Sequence, residues 1–192
     1  MLNIGIDLDD TINNLAIGLM KSAKEYNQKN NINHNVKENE WDFDKAFGWD
    51  DSHTHKFLTE YVAKIMIGAE PKEGAVEVIT KLKSAGNKII IITARSESHA
   101  KNAYDISEKW LNKYNIPHNK LVINSYNKAK KCKENNIDIF IDDNMGHCEN
   151  VYNTLKIPTY IFDSIYNKKD NNENIKRIFS WEEFYEEINK KM

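Results

Sequence analysis

A run of four isoleucines constrains this chain most. Residues 89–92, between Lys88 and Thr93, are all β-branched, and in a strand their side chains point alternately to opposite faces. A strand that is apolar on both faces needs cover on both, which places it in a parallel sheet between two layers of helices. Further runs with strand character occur at residues 2–8, 120–124, 138–141 and 159–162. Helical spacing lies between them, at 12–30 (Ile12, Leu15, Leu19 and Ala23 on one face), 55–67, 75–84, 97–114, 126–135 and 145–155. Gly86 closes one helix, and Ser180 followed by Glu183 forms a capping box that opens the last. The alternation predicts an α/β fold, Rossmann-like and three-layered, around a parallel five-stranded sheet.

The length of 192 residues suits one hydrophobic core with room for a small insertion. A net charge of −2 argues against a protein that coats nucleic acid, but leaves a single nucleotide open as ligand. Two cysteines, Cys132 and Cys148, make neither a disulfide framework nor a four-ligand zinc site. Acidic residues enter by position seven, which does not fit a secretory signal, and no apolar run approaches the length that spans a bilayer. The expectation is a cytoplasmic protein with no membrane partner. The excess of Asn, Lys and Ile is the usual mark of AT-rich coding, so the only two arginines, Arg95 and Arg177, stand out.

In a parallel sheet the ligand site lies at the carboxyl ends of the strands. There the first run ends in Asp7-Leu8-Asp9-Asp10-Thr11, the second in Thr93, and the fourth in Asp142-Asp143. Converging carboxylates repel one another unless a cation sits among them. An all-oxygen donor set favours Mg²⁺. A carboxylate that attacks a phosphate needs that cation and a lysine to offset Coulomb repulsion. Thr93 offers a hydroxyl to a phosphate oxygen, and the helix at 126–135 offers lysines.

These residues resemble the haloacid dehalogenase (HAD) superfamily. D-x-D-x-T stands as Asp7, Asp9 and Thr11; Thr93 follows a hydrophobic strand; a lysine precedes the acidic pair Asp142-Asp143. The resemblance implies Asp7 as nucleophile, forming an aspartyl-phosphate, and Asp9 as general acid and base. It implies Mg²⁺ held by Asp7, the backbone carbonyl of Asp9, and Asp142 or Asp143, with Asp142 favoured. Lys128 is chosen as the lysine, with Lys131 second. Substrate contacts fall to Thr11, Ala94 and Arg95.

Thr93 lies 86 positions after Asp7, more than one helical connection needs, and in this superfamily such an insertion is a helical cap over the site. The expected division is a core of 1–13 and 71–192 with a cap of 14–70. Cap aromatics Trp41, Phe43, Phe47 and Trp49 are either base-stacking platforms or the cap's own small core. Within the superfamily the chain most resembles the 5′(3′)-deoxyribonucleotidases and their bacterial relatives, through Glu70-Pro71, Gly74-Ala75, the I-D-D strand ending and Ser180-Trp181. It departs at Ala94-Arg95, where that group often carries a Ser/Pro segment. Arg95 is therefore read as a contact to substrate phosphate or leaving group, or as a salt-bridge residue.

The expected function is Mg²⁺-dependent hydrolysis of nucleoside monophosphates. Its small-molecule partner is a phosphate ester, not a nucleic-acid polymer, and a homodimer is allowed. One alternative keeps the chemistry on a sugar phosphate or phosphoglycolate. Another is a phospho-receiver-like binding module, disfavoured because the third strand ends in Asn124-Ser125 with no aspartate.

Overall fold

The computed structural model describes residues 1–40, 43–98 and 100–191; of Phe43 and Asp44 it describes the backbone alone. Strands β1 (Asn3–Ile6), β2 (Lys88–Ile92), β3 (Lys120–Val122), β4 (Ile139–Asp142), β5 (Thr159–Phe162) and β6 (Lys176–Ile178) form one parallel sheet. Their order is β3-β2-β1-β4-β5-β6. The chain leaves β1 to build one wing and returns beside it to build the other. Beyond the carboxyl end of β1, the two wings leave the crevice in which open α/β sheets bind ligands.

The sheet has six strands where five were expected. β6 is a three-residue edge strand, Lys-Arg-Ile, with one fully buried side chain, Ile178. Three residues carry no readable period. Pairing with β5, from Tyr160↔Lys176 to Phe162↔Ile178, creates the strand.

Helices α5 (Ala75–Ser84), α6 (Ala103–Lys113) and α9 (Trp181–Asn189) contribute to a core with Ile4, Ile6, Ile89 and Ile91. Helices α7 (Lys128–Glu134) and α8 (Met145–Leu155) pack on the opposite face, against Ile90, Ile92 and Phe140. The four isoleucines thus divide two and two between the faces, as the period of a strand requires. On the second face Gly5 lets the strand pack closely: a Cβ there would lie 3.0 Å from the Phe140 ring, which would have to shift to admit it.

Between β1 and α5 lies a helical insert: α1 (Leu15–Lys29), α2 (Phe43–Phe47), α3 (Asp51–Phe57), a π-helical turn (Leu58–Val62) and α4 (Ala63–Gly68). It has its own core, which includes Leu19, Tyr26, Phe47, Trp49, Phe57 and Met66. Phe47 is fully buried, and the Trp49 indole N–H donates to Asn27 Oδ1 at 2.5 Å. Both are core residues rather than platforms for a base. Trp41 lies outside the described residues, as does the side chain of Phe43.

α6 starts at Ala103, six residues after position 97, where the spacing predicts it. Asn102 sits in the left-handed region at φ 62° and separates the loop after β2 from the helix. Of the seven described non-glycine residues with positive φ, five are asparagine, a residue that tolerates this conformation. Part of the Asn excess therefore has a structural use. Among the described residues no helix is long and apolar enough to cross a membrane.

Candidate active site

The loop that leaves β1 organises the site by hydrogen bonding. The Asp7 N–H donates to Ile141 O at 3.0 Å, continuing the β1–β4 ladder one residue past the strand. Asp10 then turns left-handed at φ 55°. Its carboxylate accepts from the Ala16 N–H at 2.9 Å, satisfying a free donor at the start of α1. Asn13, fully buried, accepts from the Asp10 and Leu15 N–H groups and donates through Nδ2 to Asp9 Oδ1 at 2.9 Å. One asparagine thus ties Asp9 to the first helix of the insert.

Asp7, Asp142 and Asp143 converge. One oxygen from each lies within 4.8 Å of the others, and all three residues are buried. Lys128 stands beneath them, fully buried at the first position of α7, paired with Asp7 Oδ1, 3.2 Å from Asp142 Oδ2, and donating to Ile92 O at 2.5 Å. Its place follows from the start of α7: Asn127 caps the helix by accepting from Lys130 N–H, and Asn150 of α8 accepts from Ala129 N–H at 3.0 Å. Lys131, the second choice, pairs with Glu134 away from the cluster.

The electrostatics match this crowding. Burial pushes the Asp7 carboxyl up to about 7, with Lys128 opposing and Asp142 and Asp9 adding to the rise. Burial and then the Asp142, Asp7 and Asp10 charges hold Asp143 well above the ordinary carboxylate range. Burial also acts to raise Asp142, but Lys128 and then His147 outweigh it and bring that group below its usual value. Lys128 loses hydration on burial, yet the Asp142 and Asp7 charges more than compensate and raise its pKa. Two carboxylates held above their normal range in an all-oxygen cluster form a donor set suited to Mg²⁺.

That arrangement sets a pH dependence. A carboxyl with a folded pKa above its unfolded value binds more protons when folded, so it costs stability as pH rises between the two values. For Asp7 the window runs from about 4 to about 7. Metal-free protein is expected to lose stability over that window. Mg²⁺ is expected to raise the melting temperature more at pH 8 than at pH 5, and equal shifts in calorimetry at the two pH values would contradict a carboxylate site.

The remaining expected residues distribute as follows. Thr93 is buried just past β2, and its Oγ1 accepts from the Arg95 N–H at 3.2 Å. The loop after β3 braces this segment, with Ser125 N–H donating to Thr93 O and Asn124 N–H to Arg95 O. Thr11, expected to meet substrate, is instead fully buried and donates to Asp143 Oδ1 at 3.1 Å. It braces the carboxylate cluster and does not line the cavity. Asp9 lies apart from the three-carboxylate cluster, because Arg95 holds both its oxygens, Nε to Oδ2 at 2.8 Å and Nη2 to Oδ1 at 2.6 Å.

Over the cluster is a cavity of about 290 Å³. Asp7, Asp9, Thr93, Ala94, Arg95, Asp142 and Asp143 line its sheet side; Leu15, Leu19, Leu58, Val62 and Met66 line the insert side. These aliphatic residues come from α1, the π-helical turn and α4. Leu15 and Leu19 share a helix face by their spacing, but nothing in the sequence points any of the five to the site. Nor does the sequence point to three supports. Asn13 is described above. His147 lines the cavity with Nδ1 3.3 Å from Asp142. Arg177, on β6, donates to Asn167 Oδ1 at 2.7 Å, and Asn167 donates to Asp143 O at 2.7 Å, so the second arginine props the acidic pair from behind. A lone Arg in an edge strand carries no local signal of that.

A doubly wound parallel sheet with this constellation at its switch point defines a hydrolase of the HAD class, a phosphatase. The whole chain, residues 1–192, matches the model of the family described as 5′ nucleotidase, deoxy (Pyrimidine), cytosolic type C protein, and the protein belongs to that family. It is 26% identical over 180 residues to "Putative nucleotidase BH1399" of Halalkalibacterium halodurans, covering 93% of this chain and 88% of that one. Among solved structures it resembles "a predicted phosphatase from Clostridium acetobutylicum", with a TM-score of 0.70 at 16% identity over 99% of each chain. It also resembles a haloacid dehalogenase-like family protein, SP0104, from Streptococcus pneumoniae, with a TM-score of 0.69 at 15% identity over 98% of each. Family membership sets aside the phospho-receiver reading.

Proposed function

We infer that the protein is a Mg²⁺-dependent nucleotidase that hydrolyses nucleoside monophosphates through an aspartyl-phosphate on Asp7. The observation that carries the substrate class is the aliphatic wall opposite the carboxylates. A nucleobase or deoxyribose face can lie against Leu15, Leu19, Leu58, Val62 and Met66 with little loss of hydration. A sugar phosphate or phosphoglycolate would turn hydroxyls or a carboxylate toward side chains that cannot bond them. On this reading residues 14–70 act as the cap that sets substrate choice and excludes water, over a core of 1–13 and 71–192.

Asp7, Asp142 and Asp143, with the Asp9 carbonyl, would hold Mg²⁺, which when bound supplies positive charge to the phosphoryl oxygens. Asp7 attacks phosphorus, the ester P–O bond breaks, and Asp9 gives its proton to the departing oxygen. Water then attacks the aspartyl-phosphate, its proton returns to Asp9, and phosphate leaves with the Asp7 carboxylate restored. Lys128 keeps Asp7 oriented and offsets its charge as it approaches the phosphate. Thr93 and Ala94 meet the phosphoryl oxygens.

A panel of nucleoside monophosphates, sugar phosphates and phosphoglycolate with Mg²⁺ tests the reading. Nucleotides are expected to exceed the others in kcat/KM by roughly tenfold to a hundredfold, the range over which apolar pockets discriminate. A sugar phosphate turned over as well as the best nucleotide would overturn the substrate assignment and leave the phosphatase chemistry standing.

A further inference from the structure

We propose that Arg95 is a positioning residue for Asp9: it fixes the carboxylate that protonates the leaving group, rather than binding the substrate phosphate. The proposal rests on the reading of Asp9 as general acid. Three observations carry it. First, the guanidinium meets Asp9 side-on, Nε to Oδ2 at 2.8 Å and Nη2 to Oδ1 at 2.6 Å, a bidentate pairing that fixes the carboxylate plane as well as its distance. Second, the Arg95 side chain is 1% exposed, and Nη1 donates to Ser107 Oγ at 3.1 Å. Ser107 is fully buried in α6 and donates to Ala103 O at 2.7 Å, so the guanidinium is propped on a helix. Third, Asn13 approaches Asp9 from the other side, with Nδ2 2.9 Å from Oδ1. A fork from the loop after β2 and an amide from the β1 loop thus hold one carboxylate at the rim of the cavity.

If Arg95 turned to the phosphate, it would give up both bonds to Asp9 and its prop on Ser107. Phosphate already has the Thr93 and Ala94 segment on its own side of the cavity. The effect of Arg95 is therefore expected on transfer of the Asp9 proton to the departing oxygen. In that step the ester P–O bond breaks, its electron pair goes to the leaving oxygen, and Asp9 supplies the proton from Oδ2, which accepts one bond where Oδ1 accepts two, and is left as the carboxylate that the fork holds.

The test compares two leaving groups. A nucleoside 5′-monophosphate expels an alkoxide that needs the proton; 4-nitrophenyl phosphate expels a stabilised phenolate that does not. kcat/KM reports steps up to departure of the leaving group and so isolates this proton transfer from later hydrolysis of the phosphoenzyme. Arg95→Lys keeps the charge but cannot form the fork. It is expected to lower kcat/KM for the nucleotide on the order of 10²-fold, and at least about tenfold more than for the nitrophenyl ester. Ser107→Ala, which removes only the prop, is expected to move the ratio the same way by less, and it decides the matter if Arg95→Lys is too unstable to assay. Equal losses on both esters, whether in kcat or as a shared rise in KM, would overturn the proposal in favour of a structural or phosphate-binding arginine. If wild type turns over neither ester, the acid–base reading falls and the proposal falls with it.

Discussion

Asp7→Asn is expected to abolish turnover while leaving a folded protein. The amide cannot displace an alkoxide from phosphorus, so loss of kcat of roughly 10³- to 10⁶-fold is expected, as when a covalent nucleophile is removed. The same change should not harm the metal-free fold. Asp7 is buried beside Asp142 and Asp143, and its carboxyl is already pushed up to about 7. Neutralising it removes one of the charges that hold Asp143 high. Lys128 keeps Asp142 and Ile92 O as partners. In metal-free protein at pH 8 the variant is therefore expected to melt no lower than wild type, and Mg²⁺ is expected to raise its melting temperature less. Turnover near the wild-type rate would exclude the aspartyl-phosphate. A large drop in melting temperature would mean that Asp7 is chiefly a structural partner of Lys128.

Lys128→Met is expected to have the largest effect on stability. The lysine is the fully buried cation paired with both Asp7 and Asp142. Removing one partner of a buried ion pair leaves the other charge uncompensated, at about 3–5 kcal/mol. For a chain of this size that corresponds to a fall in melting temperature on the order of 10 °C. Methionine fills nearly the same volume, so the loss reports charge rather than a cavity. The deficit should shrink at pH 5, where the raised carboxyls take up protons, and added Mg²⁺ should recover part of it. Thermal melts at pH 5 and pH 8, with and without Mg²⁺, would show this. A pH-independent deficit would mean that packing, not charge, is what Lys128 supplies. Activity is expected to fall as well, because Asp7 would lose the group that orients it.

The sheet was legible in the sequence because its cause is local. Four consecutive isoleucines cannot face water on either side, and the structure divides them two and two between the helical layers. The strand-end carboxylates were legible for a related reason. Asp7 and Thr93 each follow a buried strand directly and Asp142 ends one, and the neighbouring positions of β2, β1 and β4 bring them to one end of the sheet. Lys128 was the preferred lysine of four in one helix. Its burial follows from where Asn127 starts that helix and from the Asn150 contact with α8.

The sequence by itself thus determined the layers, the order of the chemistry-bearing residues along the chain, and the long insertion after Asp7. Only the tertiary structure decided which polar groups meet. β6 exists because β5 offers it an edge. Thr11 turned from substrate to Asp143, and Arg95 to Asp9. Phe47 and Trp49 were drawn into the insert's core, while Leu15, Leu19, Leu58, Val62 and Met66 came to face the site. Arg177 acquired its support of the acidic pair through Asn167. The difference is physical. Apolar periodicity is written residue by residue, because each side chain answers to water. The partner of a buried hydrogen-bonding group can lie more than a hundred positions away, and only packing brings the two together.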